Sequence, residues 1–155
     1  MATPAAHLDS FIKNWHRIHG QSTRLMSVAP SDQFDWRPCE TAMPLGELMN
    51  HLWIAEGLLV EAAFTGRFPK EHPEPKKTTA EVIAAFDAAH AENAARVAAL
   101  TPEQLAEEIM PFGENHGSMT RKAVLHAMHE HEIHHRGQLY VYLRQLGAAV
   151  PPLFG

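Results

Sequence analysis

Histidine is the residue type with the clearest chemical potential in this sequence, which holds 12 copies in 155 residues. Neutral imidazole is the commonest metal ligand in proteins, and its titration near neutral pH also suits it to acid–base chemistry. Five of the histidines fall in one short stretch, between residues 126 and 135. Because an excess of histidine alone proves little, the elements that carry these residues must decide which of them could share a site.

The pair His131 and His135 has the spacing that places two side chains one turn apart on the same face of a helix. Both imidazoles should point into a helical bundle, because the same face carries an apolar stripe. A buried imidazole needs either hydrogen-bond partners or a metal ion. The stripe consists of Val124, Met128, Leu139, Tyr142 and Leu146.

A third histidine, His51, lies on the apolar stripe of the second predicted helix, beside Leu48, Leu52, Ala55 and Leu59. Three inward imidazoles from two helices would form a set of three nitrogen ligands that leaves coordination positions open. Such a set suits one catalytic divalent ion, either zinc, nickel or iron. A structural zinc site usually has four protein ligands, and no fourth is evident in the sequence.

Two alternatives to this ligand set remain open. A single inward histidine is more often a hydrogen-bonded core residue than a ligand, and an HxxxH spacing arises by chance in a histidine-rich chain. His134, three residues after His131, could also replace one of the three ligands. The remaining histidines are interpreted mostly as surface or loop residues: His7, His16, His19, His72, His90, His116, His126 and His129.

The hydrophobic periodicity predicts an all-α chain in which proline-rich loops separate the helices. Two capping boxes support this assignment, one at Thr78 with Glu81 and one at Thr101 with Gln104. Gly147 follows the last helix as a natural stop. No sustained strand pattern is visible. The four long helices are predicted over residues 5–27, 44–64, 78–100 and roughly 118–146, with a short helix after Thr101.

Two long loops, at residues 32–43 and 68–77, indicate a four-helix bundle with crossover connections and not a simple up-and-down bundle. Long loops of this kind are often functional, so both are expected to line the mouth of the site. The length of the chain suits one domain with its own core, which we expect to span residues 1–155.

Charge and composition argue against several classes of function. The chain carries 13 basic and 18 acidic residues, for a net charge of −5, and has no basic stripe that could bind nucleic acid. No apolar run approaches the length of a membrane span, and the N-terminus does not resemble a signal peptide. Because Cys39 is the only cysteine, no internal disulfide can form, and a cytoplasmic location is expected.

Several segments resemble the DinB/YfiT superfamily of metal-dependent enzymes. They are residues 131–138 (HEIHHRGQ), 143–147 (LRQLG), 151–155 (PPLFG), 36–38 (WRP) and 45–51 (LGELMNH). The likeness implies a four-helix bundle that is often homodimeric and has three histidine ligands. By position those ligands are His51, His131 and His135, the same set that helix facing favours. One departure is Ala42-Met43-Pro44, where relatives often have a serine before the helix, and this changes a helix cap.

The resemblance also implies a metal-dependent enzyme that acts on a small molecule. Active relatives include thiol-dependent S-transferases and isomerases, which use low-molecular-weight thiols such as bacillithiol or mycothiol, so a thiol cosubstrate is expected. A metal-dependent hydrolase is the alternative among enzymes, and a metal-binding stress-response protein without turnover is the alternative outside them. A homodimer is expected as well, because Ile133, Tyr140 and Leu143 give the last helix a second, partly apolar face.

Further candidate residues near these histidines have ordinary interpretations. Arg136 could hold an anionic substrate group or pair with a carboxylate of the second helix, and the salt bridge is favoured. Gln138 could bond to backbone, ligand or substrate, and Cys39 is interpreted as an ordinary loop cysteine. One glutamate could orient a ligand imidazole or act as a general base. The four glutamates that lie near these histidines in sequence are interpreted first as solvated helix charges: Glu47, Glu56, Glu130 and Glu132.

Overall fold

The computed structural model describes residues 4–154, with side chains described from residue 8 onward. None of the helices in this part of the chain is long and apolar enough to cross a membrane. The predicted all-α class is confirmed, and every predicted helix is present with its ends moved by a few residues. The helices are α1 (Pro4–Met26), α2 (Leu45–Thr65), α3 (Thr79–Ala98), the short α4 (Pro102–Ala106) and α5 (Arg121–Gln145).

Local sequence signals set the helix ends. Both predicted capping boxes form, with Thr78 at the start of α3 and Thr101 at the start of α4. The Thr120 side chain accepts a hydrogen bond from a backbone N–H in the first turn of α5. Gly147 has a φ of 75°, in the left-handed region that favours glycine, and it ends α5 as predicted.

Neighbouring helices in this bundle are not always consecutive in sequence. α1 packs against α3 and α5, and α2 packs against the same two helices, so α1 lies diagonally opposite α2. The loop between α1 and α2 makes one diagonal crossing, as the predicted crossover fold requires. The second crossing, from α3 to α5, is made by residues 99–120. The segment that was predicted for it, residues 68–77, joins the adjacent helices α2 and α3 instead.

The second crossing contains a hairpin that the sequence pattern does not predict. After α4, β1 (Glu108–Ile109) pairs antiparallel with β2 (Met119–Thr120), and Glu108 lies opposite Thr120. Strands of two residues are too short to produce an alternating pattern, so hydropathy cannot reveal them. The paired strands give the crossing segment its own backbone hydrogen bonds and allow it to return the chain to the start of α5.

The interior of the bundle is divided into two apolar clusters with buried polar residues between them. One cluster surrounds Trp53 and Phe86, and the other surrounds Trp15 and Leu125. Apart from Asn50 of α2, the buried polar residues on each long helix lie between the positions that belong to the two clusters. We call this set the polar layer: His19 and Ser22 of α1, Glu56 of α2, His90 and Asn93 of α3, and His129, Glu132 and Arg136 of α5.

Burial of the polar layer corrects five predictions. The sequence pattern assigns His19, His90 and His129 to the surface, and all three are buried. It also treats Glu56 and Glu132 as solvated helix charges, and both are 2% exposed. The reason is that the hydropathy pattern assigns polar residues to the outer face of a helix, so it does not identify polar residues that face the interior.

The outer face of α5 is less apolar than predicted. Leu143 is fully buried in the chain's own core, and Tyr140 donates a hydrogen bond to the carbonyl of Pro151. Ile133 and Val141 remain exposed. Of the three residues expected to form a second apolar face, Leu143 therefore belongs to the interior.

The loop that crosses from α1 to α2 also caps α2. Pro44, at the N-cap, offers no side-chain hydrogen bond, so the free amides of the first turn need other acceptors. The Trp36 carbonyl accepts a hydrogen bond from the Leu45 N–H at 2.8 Å, and the Phe34 carbonyl accepts one from the Gly46 N–H at 2.9 Å. Backbone carbonyls of the loop thus take the place of a side-chain cap.

This close approach makes Gly46 sensitive to substitution. A Cβ at Gly46 would lie 2.5 to 2.9 Å from atoms of the Phe34 side chain. We expect Gly46→Ala to displace Phe34 and to lower the free energy of unfolding by about 1–3 kcal/mol. Urea unfolding followed by circular dichroism measures the change.

Gly57→Ala, in the same helix, is the matched control, because nothing lies within 4 Å of its added Cβ. The higher helix propensity of alanine should raise the free energy of unfolding of that variant by about 0.5–1 kcal/mol. Equal unfolding midpoints for the two variants would contradict the packing argument.

Candidate metal centre

His51 of α2 meets His131 and His135 of α5 where these two helices pack against each other. The Nε2 atom of His51 lies 3.0 Å from Nε2 of His131 and 3.2 Å from Nε2 of His135. The possible ligand atoms of the three residues all lie within 4.8 Å of one another. The structure therefore brings together the three residues that the sequence favours. The competing residue, His134, is exposed and lies outside this group.

The hydrogen bonds around these rings leave nitrogen lone pairs that converge. Gln138 Oε1 lies 2.7 Å from Nδ1 of His135 and accepts its hydrogen, so Nε2 of the neutral ring presents a lone pair. Nε2 of His51 can donate a hydrogen to only one of its two neighbours. One of the two contacts, at 3.0 Å with His131 or at 3.2 Å with His135, is therefore not a hydrogen bond. Two ring nitrogens that lie so close without a hydrogen bond repel each other.

A divalent cation would satisfy all three nitrogens at once. Two nitrogen ligands that each lie about 2.1 Å from one ion, at right angles, are about 3.0 Å apart. The separations around His51 match that value. Imidazole is a preferred ligand of zinc, nickel and iron, so the donor set fits these metals.

Burial keeps the three imidazoles in the neutral form that coordination requires. Burial, together with the smaller effect of nearby charges on His135, His51 and His134, lowers the pKa of His131 to about 4. Burial also lowers the pKa of His51 and of His135 below the ordinary value. At neutral pH the site therefore offers lone pairs instead of positive charges.

A cleft of about 750 Å³ opens beside His51, and both long loops line it. Phe34 and Asp35 come from the first loop, and Lys76 comes from the second. The Asn50 side chain fixes the second loop, because it donates to the Lys76 carbonyl at 2.9 Å and accepts from the Lys76 N–H at 2.7 Å. Both long loops therefore lie at the cleft beside His51, one of the three candidate ligands.

A smaller pocket of about 350 Å³ reaches His51 and His131 from another direction, and it is almost entirely apolar. Phe68 and Phe112 form part of its wall, with their ring centroids 5.1 Å apart. Phe112 is 56% exposed, although it is a large apolar residue. His51 thus lines both the polar cleft and the apolar pocket, and His131 lines the pocket.

The other candidate residues have mixed outcomes. Gln138 hydrogen-bonds to the ring of His135, a candidate ligand, which is one of the three partners that the sequence left open. Arg136 does not pair with a carboxylate of α2 as predicted, because its guanidinium donates to the Ile18 carbonyl and to Gln21 Oε1 of α1. Cys39 is exposed, as expected of a loop cysteine.

Eight histidines were assigned to the surface or to loops, and three of them, His19, His90 and His129, are buried in the polar layer. His16, His72, His116 and His126 are exposed, as predicted, whereas the side chain of His7 lies outside the described residues. Among the glutamates, Glu47 and Glu130 are exposed helix charges, and Glu47 lines the polar cleft.

Sequence reasoning missed a second group of possible metal ligands. His19, Glu56 and His90 are all buried, and their possible ligand atoms lie within 4.8 Å of one another. A signal for burial existed in the spacing, because His90 lies four residues after Phe86 and four residues before Ala94, which are both buried.

One family profile and two bacterial proteins are similar to this chain in sequence. The profile of the DinB superfamily matches residues 14–139. The uncharacterized protein YjoA of Bacillus subtilis is 28% identical over 133 residues, which cover 86% of each chain. The uncharacterized protein YrdA of the same species is 30% identical over 154 residues, which cover 96% of this chain and 88% of YrdA.

Three solved structures of DinB-like proteins are similar in fold. The structure of YjoA from Bacillus subtilis has a TM-score of 0.78 at 24% identity and covers 94% of this chain and 98% of its own. A protein from Bacillus cereus has a TM-score of 0.77 at 19% identity, and one from Exiguobacterium sibiricum has 0.67 at 20%. Each covers 94% of this chain and 96% of its own. At these identities the likeness establishes the bundle fold.

The electrostatics of the site can be tested in metal-free protein. NMR titration should place the pKa of the His131 ring at about 4, whereas an unfolded histidine titrates near 6.5. As the pH falls from 6.5 towards 4, the unfolded chain binds a proton that the native ring rejects, so the free energy of unfolding should decrease over that window. A His131 midpoint at or above 6.5 would show that burial does not control the ring.

Proposed function

The chain belongs to the DinB superfamily, and from this premise we propose that it is a metal-dependent enzyme that acts on a small molecule. His51, His131 and His135 would hold one divalent ion, either zinc, nickel or iron. The observation that carries the proposal is the convergence of three imidazole Nε2 atoms, at 3.0 and 3.2 Å around His51, in a pattern that hydrogen bonds alone cannot satisfy.

A bound ion would supply Lewis acidity and would lower the pKa of a thiol or a water molecule in the cleft. The residues of the chain provide the rest of the site. Gln138 holds the His135 ring in the tautomer whose Nε2 is free. Three protein ligands leave coordination positions open, which distinguishes a catalytic site from a closed structural one.

We favour a thiol-dependent S-transferase reaction with a low-molecular-weight thiol as cosubstrate. Lys76 and Lys77 line the polar cleft together with Asp35 and Glu47, and the two ammonium groups could pair with the carboxylates of a thiol that bears them. The apolar pocket beside His131 would receive an apolar electrophile. In the transfer, the thiol sulfur forms a bond to an electrophilic carbon, the leaving group departs with the bonding electron pair, and the thiol proton passes to solvent.

A metal-dependent hydrolase is the second candidate, and one observation favours it. Glu47 lies one helical turn before His51 and lines the same cleft. Its exposed carboxylate could act as a general base for a water molecule. Glu47→Gln would remove that base and keep the shape of the side chain.

We also propose a homodimer, which the family resemblance supports. Ile133 and Val141 on α5 are exposed apolar residues that a second copy of the chain could cover.

The ligand assignment can be tested by zinc analysis of purified, zinc-loaded protein. His51→Ala and His135→Ala should each hold about one zinc ion per chain fewer than the unaltered protein, because each removes one of three ligands. His134→Ala is the matched control, since His134 is an exposed histidine on the same helix and should leave the zinc content unchanged. Loss of zinc in His134→Ala but not in His135→Ala would overturn the assignment.

The reaction class can be tested with the same variants. Zinc-loaded protein should conjugate low-molecular-weight thiols to apolar electrophiles, and His51→Ala should reduce the rate at least about 100-fold because the site loses its ion. Ester or amide hydrolysis that depends on Glu47, without conjugation, would favour the hydrolase. Retained metal with no turnover in either assay would mean a non-catalytic metal-binding protein and would refute the proposal.

A further inference from the structure

We propose that the chain has a second divalent-cation site in the middle of the bundle, formed by His19 of α1, Glu56 of α2 and His90 of α3. The possible ligand atoms of these residues lie within 4.8 Å of one another. Their exposed fractions are 8%, 2% and 5%, so water reaches none of them freely. Two imidazoles and one carboxylate form a donor set that proteins use for zinc and for ferrous iron.

The outer hydrogen bonds of both imidazoles are those expected of metal ligands. Nε2 of His19 lies 2.8 Å from Asp87 Oδ1, and Nε2 of His90 lies 2.8 Å from Nδ1 of His16. If each Nε2 donates its hydrogen outward, each Nδ1 keeps a lone pair. Metal-binding histidines typically donate their second N–H to a carboxylate or another acceptor in this way, which fixes the tautomer.

The Nδ1 atoms of the two rings are the ones left available to an ion. Nδ1 of His90 lies 3.1 Å from Glu56 Oε2, a separation that suits two ligands of one ion as well as a hydrogen bond. Nδ1 of His19 is buried and has no hydrogen-bond partner among the described residues. The two rings lie parallel, with centroids 3.9 Å apart. Because an imidazole lone pair lies in the plane of its ring, one ring must turn for both Nδ1 atoms to face the same ion. A buried acceptor without a partner costs free energy that a bound cation would recover.

The carboxylate of Glu56 is held in place by neutral donors. Trp15 Nε1 donates to Oε2 at 3.0 Å, and Asn93 Nδ2 donates to Oε1 at 3.1 Å. These bonds orient the carboxylate, as the outer partners of a ligating carboxylate do. Because neither donor carries a charge, they leave the negative charge of Glu56 without a cation.

The charge of the polar layer also favours a cation. Glu132 places a second carboxylate there, and its Oε2 atom is buried without a hydrogen-bond partner among the described residues. Arg136 is the only lysine or arginine that is buried in the described part of the chain. Its guanidinium hydrogen-bonds to Ile18 and Gln21 of α1, not to either carboxylate. Burial raises the pKa of Glu132 to about 7, so at neutral pH this residue carries only part of a negative charge. A divalent ion at the second site would therefore offset mainly the charge of Glu56.

This second site is separate from the candidate metal centre. His51 and Glu56 are five residues apart on α2, which places them about 140° apart around the helix. His51 opens onto the polar cleft, whereas Glu56 is 2% exposed and contacts α1 and α3. The two groups share no ligand, so each can be removed without the other.

Metal counting on the full chain tests the proposal. Because the site is buried, the protein is stripped with a chelator in denaturant, refolded with excess zinc, freed of unbound zinc, and assayed for zinc per chain. We expect about two zinc ions for the unaltered chain and about one each for His51→Ala and His90→Gln. When His51→Ala is loaded with cobalt, the ion at the second site should give visible absorption bands. These bands should be absent from the double variant that combines His51→Ala with His90→Gln.

His129→Gln is the matched control, because His129 is a buried histidine of the polar layer that lies outside the proposed ligand group. It should keep about two zinc ions. Glu56→Gln is a second ligand variant, which retains an acceptor for Trp15 and should lose one ion. Circular dichroism confirms that each variant is folded.

The outcomes separate the two sites. One zinc ion per unaltered chain, lost in His51→Ala and kept in His90→Gln and Glu56→Gln, would overturn the second site and leave the first intact. The polar layer would then be a hydrogen-bonded network alone. One zinc ion that is lost in His90→Gln and kept in His51→Ala would support the second site and overturn the candidate metal centre.

Discussion

The packing of α2 against α5 is the contact on which the geometry of the candidate metal centre depends, because it brings one ligand from the first helix to two from the second. A slip of one helical turn would move His51 by about 5.4 Å along the axis and separate it from its partners. Polar contacts at both ends of α2 oppose such a slip. Tyr142 donates a hydrogen bond to the Met43 carbonyl at one end, and Arg121 donates to the carbonyls of Ala63 and Phe64 at the other.

The polar layer connects the helices across the bundle by hydrogen bonds. α1 and α2 lie diagonally opposite each other, yet Trp15 of α1 reaches Glu56 of α2 with a hydrogen bond of 3.0 Å. Asn93 of α3 binds the same carboxylate. Apolar packing tolerates small rotations of a helix, whereas a buried carboxylate must keep its donors or pay for desolvation. The layer therefore fixes the rotation of the helices that the two apolar clusters hold together.

Sequence reasoning succeeded where an inward position was surrounded by apolar neighbours. His131 and His135 were placed correctly because Met128 and Leu139 mark the same stripe. The same reasoning failed for Glu56, which lies four residues from the buried residues Leu52 and Val60, because a charged side chain was assigned to the surface by its type.

Chain connectivity was predicted less well than helix position. The periodicity gives each helix its inward face, but it does not say which helices become neighbours in space. The diagonal crossing over residues 99–120 depends on the short hairpin and on its contacts with other elements, which are non-local. Likewise, the capping of α2 by the carbonyls of Phe34 and Trp36 depends on how the loop folds back, and Pro44 alone gave no sign of it.

The dense polar segment at residues 131–138 can be understood from helix geometry. Positions 131 and 135 carry the imidazoles of the candidate metal centre, and positions 132 and 136 carry Glu132 and Arg136 of the polar layer. The two pairs have the same four-residue spacing and are offset by one residue, or about 100° around the helix. One turn of α5 therefore supplies two polar faces, one towards α2 and one towards α1. Such a segment would be a poor helix core by itself. It is helical here because Leu125 and Met128 before it and Leu139 and Leu143 after it anchor α5 in the two apolar clusters.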